Sequence, residues 1–342
     1  MALVEAHIEE TETKQTTIEP TTIAAPNHPS DLQSSQKRLP ALSVKNVLYA
    51  TDFSATSEAA LPYATATCRH FASTLHTVHV LSEANVLMMC GGVDYVSLGT
   101  VYEDTQAAAK EKLDQIAERF AEIPHRNYVR HGQVWKNLAE LVRDNEIDLI
   151  VLGTHGRTGL GKLVLGSVAE DILRHAPCPV LTVGPKVSGR AKLPACSTRA
   201  RDLVPVELEL RQIVCATNFT QDAALIARKA VSLAEEFRAR LTLIHVIEDY
   251  TQLANGPGFI EEGVRRLKDL IPKSAALQHA PEAVLKFGSP AERILKIASI
   301  RESDLIVLGA RASAEVGTTH SPWSTVHHVI AQAHCPVLTL RG

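Results

Sequence analysis

Three glycines and a serine stand at a spacing suited to holding phosphate: Gly153-x2-Gly156-x9-Gly166-Ser167, inside the stretch Asp148–Ala169. An apolar run, Leu149–Leu152, feeds Gly153. A loop carrying Thr154, His155, Gly156, Arg157, Thr158 and Gly159 follows, and Ser167 opens a helix with Val168 and Ala169 in its first turn. Glycine lets backbone approach an anion closely, and a helix start offers unsatisfied N–H groups at the positive end of its dipole. Arg157 and Lys162 either neutralise phosphate charge or form a solvated basic loop. His155 invites a proton-transfer role, but nothing in the sequence sets a general base with an orienting partner beside it, so a hydrogen-bonding loop residue is the plainer reading.

The flanking segments alternate between short apolar runs and helical periodicity. NVLYA (46–50) reads as a first strand that ends at Thr51-Asp52-Phe53-Ser54. Ser54 then caps a helix, and Asp52 either joins that cap or faces a ligand. TLHTVHVL (74–81) is a second strand. Residues 82–100 read as a loop or short helix, and a strong helix spans Tyr102–Phe120. Residues 126–132 form a third strand, followed by an amphipathic helix with Trp135, Leu138, Leu141 and Val142 on one face. DLIVLG is the fourth strand, Ser167–His175 a helix stopped by Pro177, and residues 178–184 the fifth strand. This alternation indicates an α/β fold with a parallel sheet and helices on both faces.

Composition narrows the classes. The chain has 342 residues, 45% of them apolar and 21% charged, with a formal net charge of −3. That balance is typical of a soluble globular protein and argues against a nucleic-acid or anionic-membrane partner. No apolar run approaches a bilayer-spanning length, and the start lacks the pattern of a secretory signal, so a cytoplasmic location is expected. The six cysteines include no CxxC pair, so neither zinc nor a thioredoxin-like motif is indicated, and His320, His327 and His328 lack a third metal partner at ligand spacing. Met88-Met89 and Trp135 read as packing residues. Residues 1–42 are polar and rich in Thr, Glu, Pro and Ser, too poor in apolar side chains to offset the entropy of ordering.

The pattern then occurs twice. After a Gly- and Pro-bearing linker (186–209), QIVCATNF (212–219) matches NVLYATDF (46–53), RLTLIHVIE (240–248) matches the second strand, and DLIVLG recurs unchanged at 304–309. HCPVLTL (334–340) matches PCPVLTV (177–183). The second copy has a shorter middle helix, near Gly263–Leu270. This is a tandem duplication of one domain, with the first copy over 43–185 and the second over 210–342.

On the glycine–serine spacing, Asp52 after the first strand and the CPVL strand, each repeat resembles a universal stress protein domain, and the first resembles the nucleotide-binding version of that family. The resemblance implies two tandem sheets of adenine nucleotide alpha-hydrolase-like topology, five strands each in the order 3-2-1-4-5, with ATP between strands 1 and 4 at the topological switch point. By position it implies that Ala50, Thr51 and Asp52 lie beneath the nucleoside and that Val80 meets the adenine. Gly153, Thr154, His155, Gly156, Arg157, Thr158 and Gly159 would wrap ribose and phosphates, with Gly166, Ser167, Val168 and Ala169 donating to the phosphates. Mg would arrive with the ATP, since no carboxylate cage is apparent. Family domains pair antiparallel through their last strands, so the two halves here are expected to form an internal pseudo-dimer, leaving a further homodimer open.

The second repeat departs from the pattern. Asn218 replaces Asp52, Ala312 replaces the second glycine, and Pro322-Trp323 fall where the third glycine stood, so nucleotide binding is expected of the first repeat alone. The leading functional reading is a nucleotide-binding stress or regulatory protein. Two alternatives are a slow ATPase or other ATP-using enzyme, and a nucleotide-independent scaffold. The Ser-Gly-Gly-x-Asp-Ser loop of ATP-using ligases is absent after the first strand, where Thr51-Asp52-Phe53-Ser54 stands.

Overall fold

The computed structural model describes residues 43–82, 95–154, 165–187, 207–220, 222–251, 257–309 and 322–341. The N-terminal 42 residues, Met88-Met89 and most of the linker lie outside these, as do residues 155–164 of the phosphate loop and their counterparts 310–321.

Ten strands form one sheet. In the first repeat they are β1 (Asn46–Ala50), β2 (Thr74–Leu81), β3 (His125–His131), β4 (Leu149–Gly153) and β5 (Val180–Val183). In the second they are β6 (Gln212–Ala216), β7 (Arg240–Ile247), β8 (Glu282–Phe287), β9 (Leu305–Gly309) and β10 (Val337–Leu340). The order is β3-β2-β1-β4-β5-β10-β9-β6-β7-β8, so each half runs 3-2-1-4-5. All pairs are parallel except β5–β10, which is antiparallel with Leu338 opposite Leu181.

Helices α1 (Ala55–Phe71), α2 (Tyr95–Ala117), α3 (Val134–Asp144) and α4 (Ser167–His175) serve the first half. Helices α5 (Ala223–Glu236), α6 (Pro257–Asp269), α7 (Pro290–Ile300) and α8 (Pro322–Gln332) serve the second. Two boundaries differ from the sequence expectation. α2 begins at Tyr95 rather than Tyr102, because extending a helix adds one hydrogen bond per residue fixed while starting one is costly, so Ala- and Lys-rich turns carry weaker formers such as Val96 and Gly99. α6 begins at Pro257, well before Gly263. Proline suits a first helical position, and Gly263 is a packing choice: a Cβ there would come within 2.9 Å of Leu285 Cδ2.

The strands read as unbroken apolar runs because both sheet faces are covered. Successive side chains alternate between two cores. Val47, Tyr49 and Val151 join α1 on one face, where the core continues into Ile226, Ala227 and Ala230 of α5. Leu48, Ile150 and Leu152 join α3 and α4 on the other, continuous with α7 and α8. An antiparallel junction within one sheet relates the halves by a two-fold normal to it, which puts equivalent helices on the same face. Thr182 Oγ1 donates to Val337 O and Thr339 Oγ1 to Val180 O, each at 3.1 Å. His70 at the end of α1 stacks on Phe237 (4.3 Å) and meets Glu236 at 2.9 Å.

Candidate nucleotide site at the switch point of the first repeat

β1 and β4 are neighbours whose crossovers run in opposite directions, which makes their C-terminal ends the switch point at which open α/β sheets bind ligands. Ala50, half-buried, pairs with Leu152 in the ladder. Thr51 is buried: its N–H bonds Val78 O at 3.0 Å and its hydroxyl lies 3.0 Å from Ser57 Oγ. Its side chain is thus part of the support. Asp52 is half-buried and accepts from Ser54 N (3.0 Å), bracing the turn from which Ser54 caps α1 through Ser57 N. Val80 is half-buried near the end of β2.

Two groups that the sequence reading left aside hold this turn. Ser57 takes the Thr51 hydroxyl, and its carbonyl accepts from the buried Tyr49 phenol at 2.8 Å. His79 Nδ1 lies 2.8 Å from Thr51 O, and its ring sits 4.3 Å from Phe53. Phe53 adopts a left-handed φ of 62°, and Lys112 Nζ lies 5.4 Å from its ring centre, which brings an ammonium beside the strand ends. The recurrence of histidine in VHVL and IHVI was the available signal. His245 repeats the bond to Thr217 O (2.8 Å) and the ring contact with Phe219, which has φ 58°. Burial lowers the His245 pKa. The strained turn therefore belongs to the fold and does not distinguish one repeat from the other.

Gly153 is where backbone meets backbone: a Cβ there would fall 2.4 Å from Thr56 O at the start of α1. Thr154 is buried, and its N–H bonds Val183 O at 3.2 Å. Its carbonyl accepts from Gly166 N at 2.9 Å. This one bond closes the base of the loop and seats the start of α4 beside the end of β4. Gly166 is the N-cap residue and supplies no side-chain cap; Ser167 and Val168 are exposed, while Ala169 packs inward. Ala50, Thr51, Asp52, Val80, Gly153, Thr154 and Gly166–Ala169 thus occupy the strand-end region, whereas His155, Gly156, Arg157, Thr158 and Gly159 lie outside the described residues.

The second repeat keeps the frame and changes the fittings. Asn218 accepts from Thr220 N and Oγ1, copying the Asp52 turn without its charge. Ala223 stands where Ser57 does, and among the described residues the buried Thr217 hydroxyl has no partner. Where α4 starts at Ser167, α8 starts at Pro322, which has no N–H to give. Among the described residues no group of three His, Cys, Asp or Glu side chains could hold a metal ion, and no helix is long and apolar enough to cross a membrane. Burial pushes the Cys68, Cys215 and Cys335 thiols up to about 12, so they stay protonated at neutral pH.

The family model for the universal stress protein family matches residues 43–184 and again 209–341. The chain belongs to the universal stress protein family. Among its relatives, universal stress protein A homolog 1 of Coxiella burnetii is 34% identical over 140 residues, which is 41% of this chain and 95% of that protein. A universal stress protein of Methanocaldococcus jannaschii is 27% identical over 157 residues, 42% of this chain and 97% of the relative. Each of these universal stress proteins is thus about as long as one repeat. The crystal structure of a universal stress protein from Archaeoglobus fulgidus matches over both halves, with a TM-score of 0.59 and 19% identity, covering 87% of this chain and 97% of that one.

Proposed function

We propose that the first repeat binds ATP in the crevice between β1 and β4, that the second repeat does not, and that the protein acts in stress response or regulation rather than as an efficient catalyst. The observation that carries this reading is the bond from Gly166 N to Thr154 O. It holds an uncapped helix start beside the strand ends at the position where the glycine spacing predicts phosphate. Exposed backbone N–H groups and the Ser167 hydroxyl fit the acceptor-only oxygens of a polyphosphate, and Lys112 adds positive charge nearby. Mg²⁺ bound through the phosphates would complete the charge balance, held by nucleotide oxygens more than by protein carboxylates. In the second repeat Pro322 at the helix start and the loss of the Asp52 carboxylate weigh against the same ligand. The sequence sets no general base with an orienting partner beside the loop, which favours holding over hydrolysing the nucleotide.

The test is the stoichiometry of nucleotide on the purified full-length chain, by mass spectrometry of the released ligand and by titration calorimetry after stripping. One ATP per chain is expected, stable over hours, and lost when Gly156 is changed to leucine. Two per chain would reject the asymmetry; none would reject the site; steady turnover would move the protein to the ATP-using enzymes.

A further inference from the structure

At the other end of the sheet, where strands β6 and β7 begin, the second repeat has a cleft of about 550 Å³ whose lining includes Gln212, Arg240, Thr242, His279, Glu282 and Ile300, together with Arg301 and Glu302. That volume suits a small metabolite, for which sites run from ~300 to ~1,000 Å³. Its origin lies in the comparison of the two repeats. In the first, the equivalent place is filled by two rings: His76 stacks on Tyr128 (5.9 Å between ring centres), bonds its hydroxyl at 3.2 Å and reaches Asn46 Oδ1 at 3.2 Å. Tyr128 in turn donates to Asn145 Oδ1. In the second repeat the matching strand positions hold Thr242, which lines the cleft, and Val284, which packs on the core, so neither ring is present to fill the space.

The walls that remain are polar and ordered. Gln212 Nε2 donates to Thr242 Oγ1, Thr242 Oγ1 bonds Glu282 Oε2 (3.2 Å), and the other Glu282 oxygen takes the Arg301 guanidinium. This chain fixes the acid and commits its charge. Arg240 and His279 are different: among the described residues neither side chain has a hydrogen-bond or ion-pair partner, although the Arg240 backbone is held by Arg211 O at 2.9 Å. Ile300, 61% exposed, is an unusually bare apolar side chain beside these donors. Guanidinium and imidazole donors next to an apolar wall recognise an anion attached to a carbon body.

We propose that this cleft is a second ligand site, distinct from the nucleotide crevice, that takes a small organic anion with its carboxylate or phosphate on Arg240 and His279 and its carbon body against Ile300. The first repeat has no counterpart because His76 and Tyr128 occupy the space. Duplication thus gives each half one site, at opposite ends of its strands.

Methyl-selective NMR on the full-length chain with labelled isoleucine δ1 groups tests this, with phenyl phosphate and benzoate as probes for the two anion classes. The Ile300 methyl resonance should shift saturably with at least one probe below about 10 mM, and the probe that saturates first identifies the anion. Arg240→Gln, at an exposed position, should weaken that binding about tenfold or more. The pair Thr242→His with Val284→Tyr should abolish it by restoring the ring filling. Arg240 and Ile300 both belong to the second repeat, so the result stands whether or not the first repeat binds nucleotide. No Ile300 shift with either probe, or a shift that survives Arg240→Gln unchanged, overturns the proposal.

Discussion

Thr51 and Thr217 are the same residue at the same point of the two repeats, and they differ in what surrounds them. Thr51 shares a hydrogen bond with the Ser57 hydroxyl and accepts from Phe53 N, while the Thr217 hydroxyl, with Ala223 at the Ser57 position, is buried with no partner among the described residues. A buried hydroxyl without a partner forfeits its hydration for nothing, a cost of roughly 1–3 kcal/mol. Ala223→Ser should therefore stabilise the protein by about 1 kcal/mol in urea denaturation, and unchanged stability would show that Thr217 relaxes in another way. The same comparison separates the roles of the turn. Phe53, His79 and the Asx-type bond of Asp52 are structural, since Phe219, His245 and Asn218 reproduce them. What the first repeat adds is the Asp52 charge and a helix start with its N–H groups available. Gly153 and Gly309 are both packing glycines, one against the Thr56 backbone and the other against Ile226, so they too serve the frame as much as any ligand.

Helix α1 sits at the centre of the first repeat, and each of its ends is legible in chemistry. Ser54 caps its start, Glu58 stands in its first turn and Arg69 in its last, as the helix dipole favours. Its C-terminal cap, Ala72, takes a left-handed conformation (φ 54°) that suits glycine better, since Cβ crowds the backbone there. Ala72→Gly removes that crowding at an exposed site and gives back part of the gain in unfolded-chain entropy. The net expected is a stabilisation of about 0.5–1 kcal/mol, read as a raised denaturation midpoint at unchanged slope. A lowered midpoint would mean that the left-handed cap carries little strain. The helix is buried along Leu61–Cys68 on every side, sheet below and second repeat beside it, which an amphipathic pattern alone does not announce.

At the scale of the molecule the decisive feature is the β5–β10 pair. A five-stranded parallel sheet ending in a short apolar strand exposes unpaired backbone groups, and such an edge invites association. Here each half covers the edge of the other, and both cores run across the seam. Leu338→Asp places a charge in that seam opposite Leu181. It should cost about 3 kcal/mol or more and open the two edges. Loss of stability together with concentration-dependent self-association, by denaturation and light scattering, is the expected pair of results. A monodisperse, fully stable variant would show that the helix contacts at His70 and Phe237 suffice to hold the halves.

The sequence by itself determined the duplicated α/β plan and, through family resemblance, the strand order, because period-two and period-3.6 apolar patterns and caps are local signals. It placed the starts of α2 and α6 too late, because local propensity does not register how far an established helix propagates. Only the tertiary structure decided what depends on residues distant in the chain. The Gly166–Thr154 closure, the Ser57 and His79 supports beneath Thr51, and the cleft beside Thr242 are each set by which groups meet across strands. A strand's pattern states which face is apolar; whether the space on that face is filled by a stacked His76–Tyr128 pair or left open to a ligand is a property of neighbours that only the assembled sheet brings together.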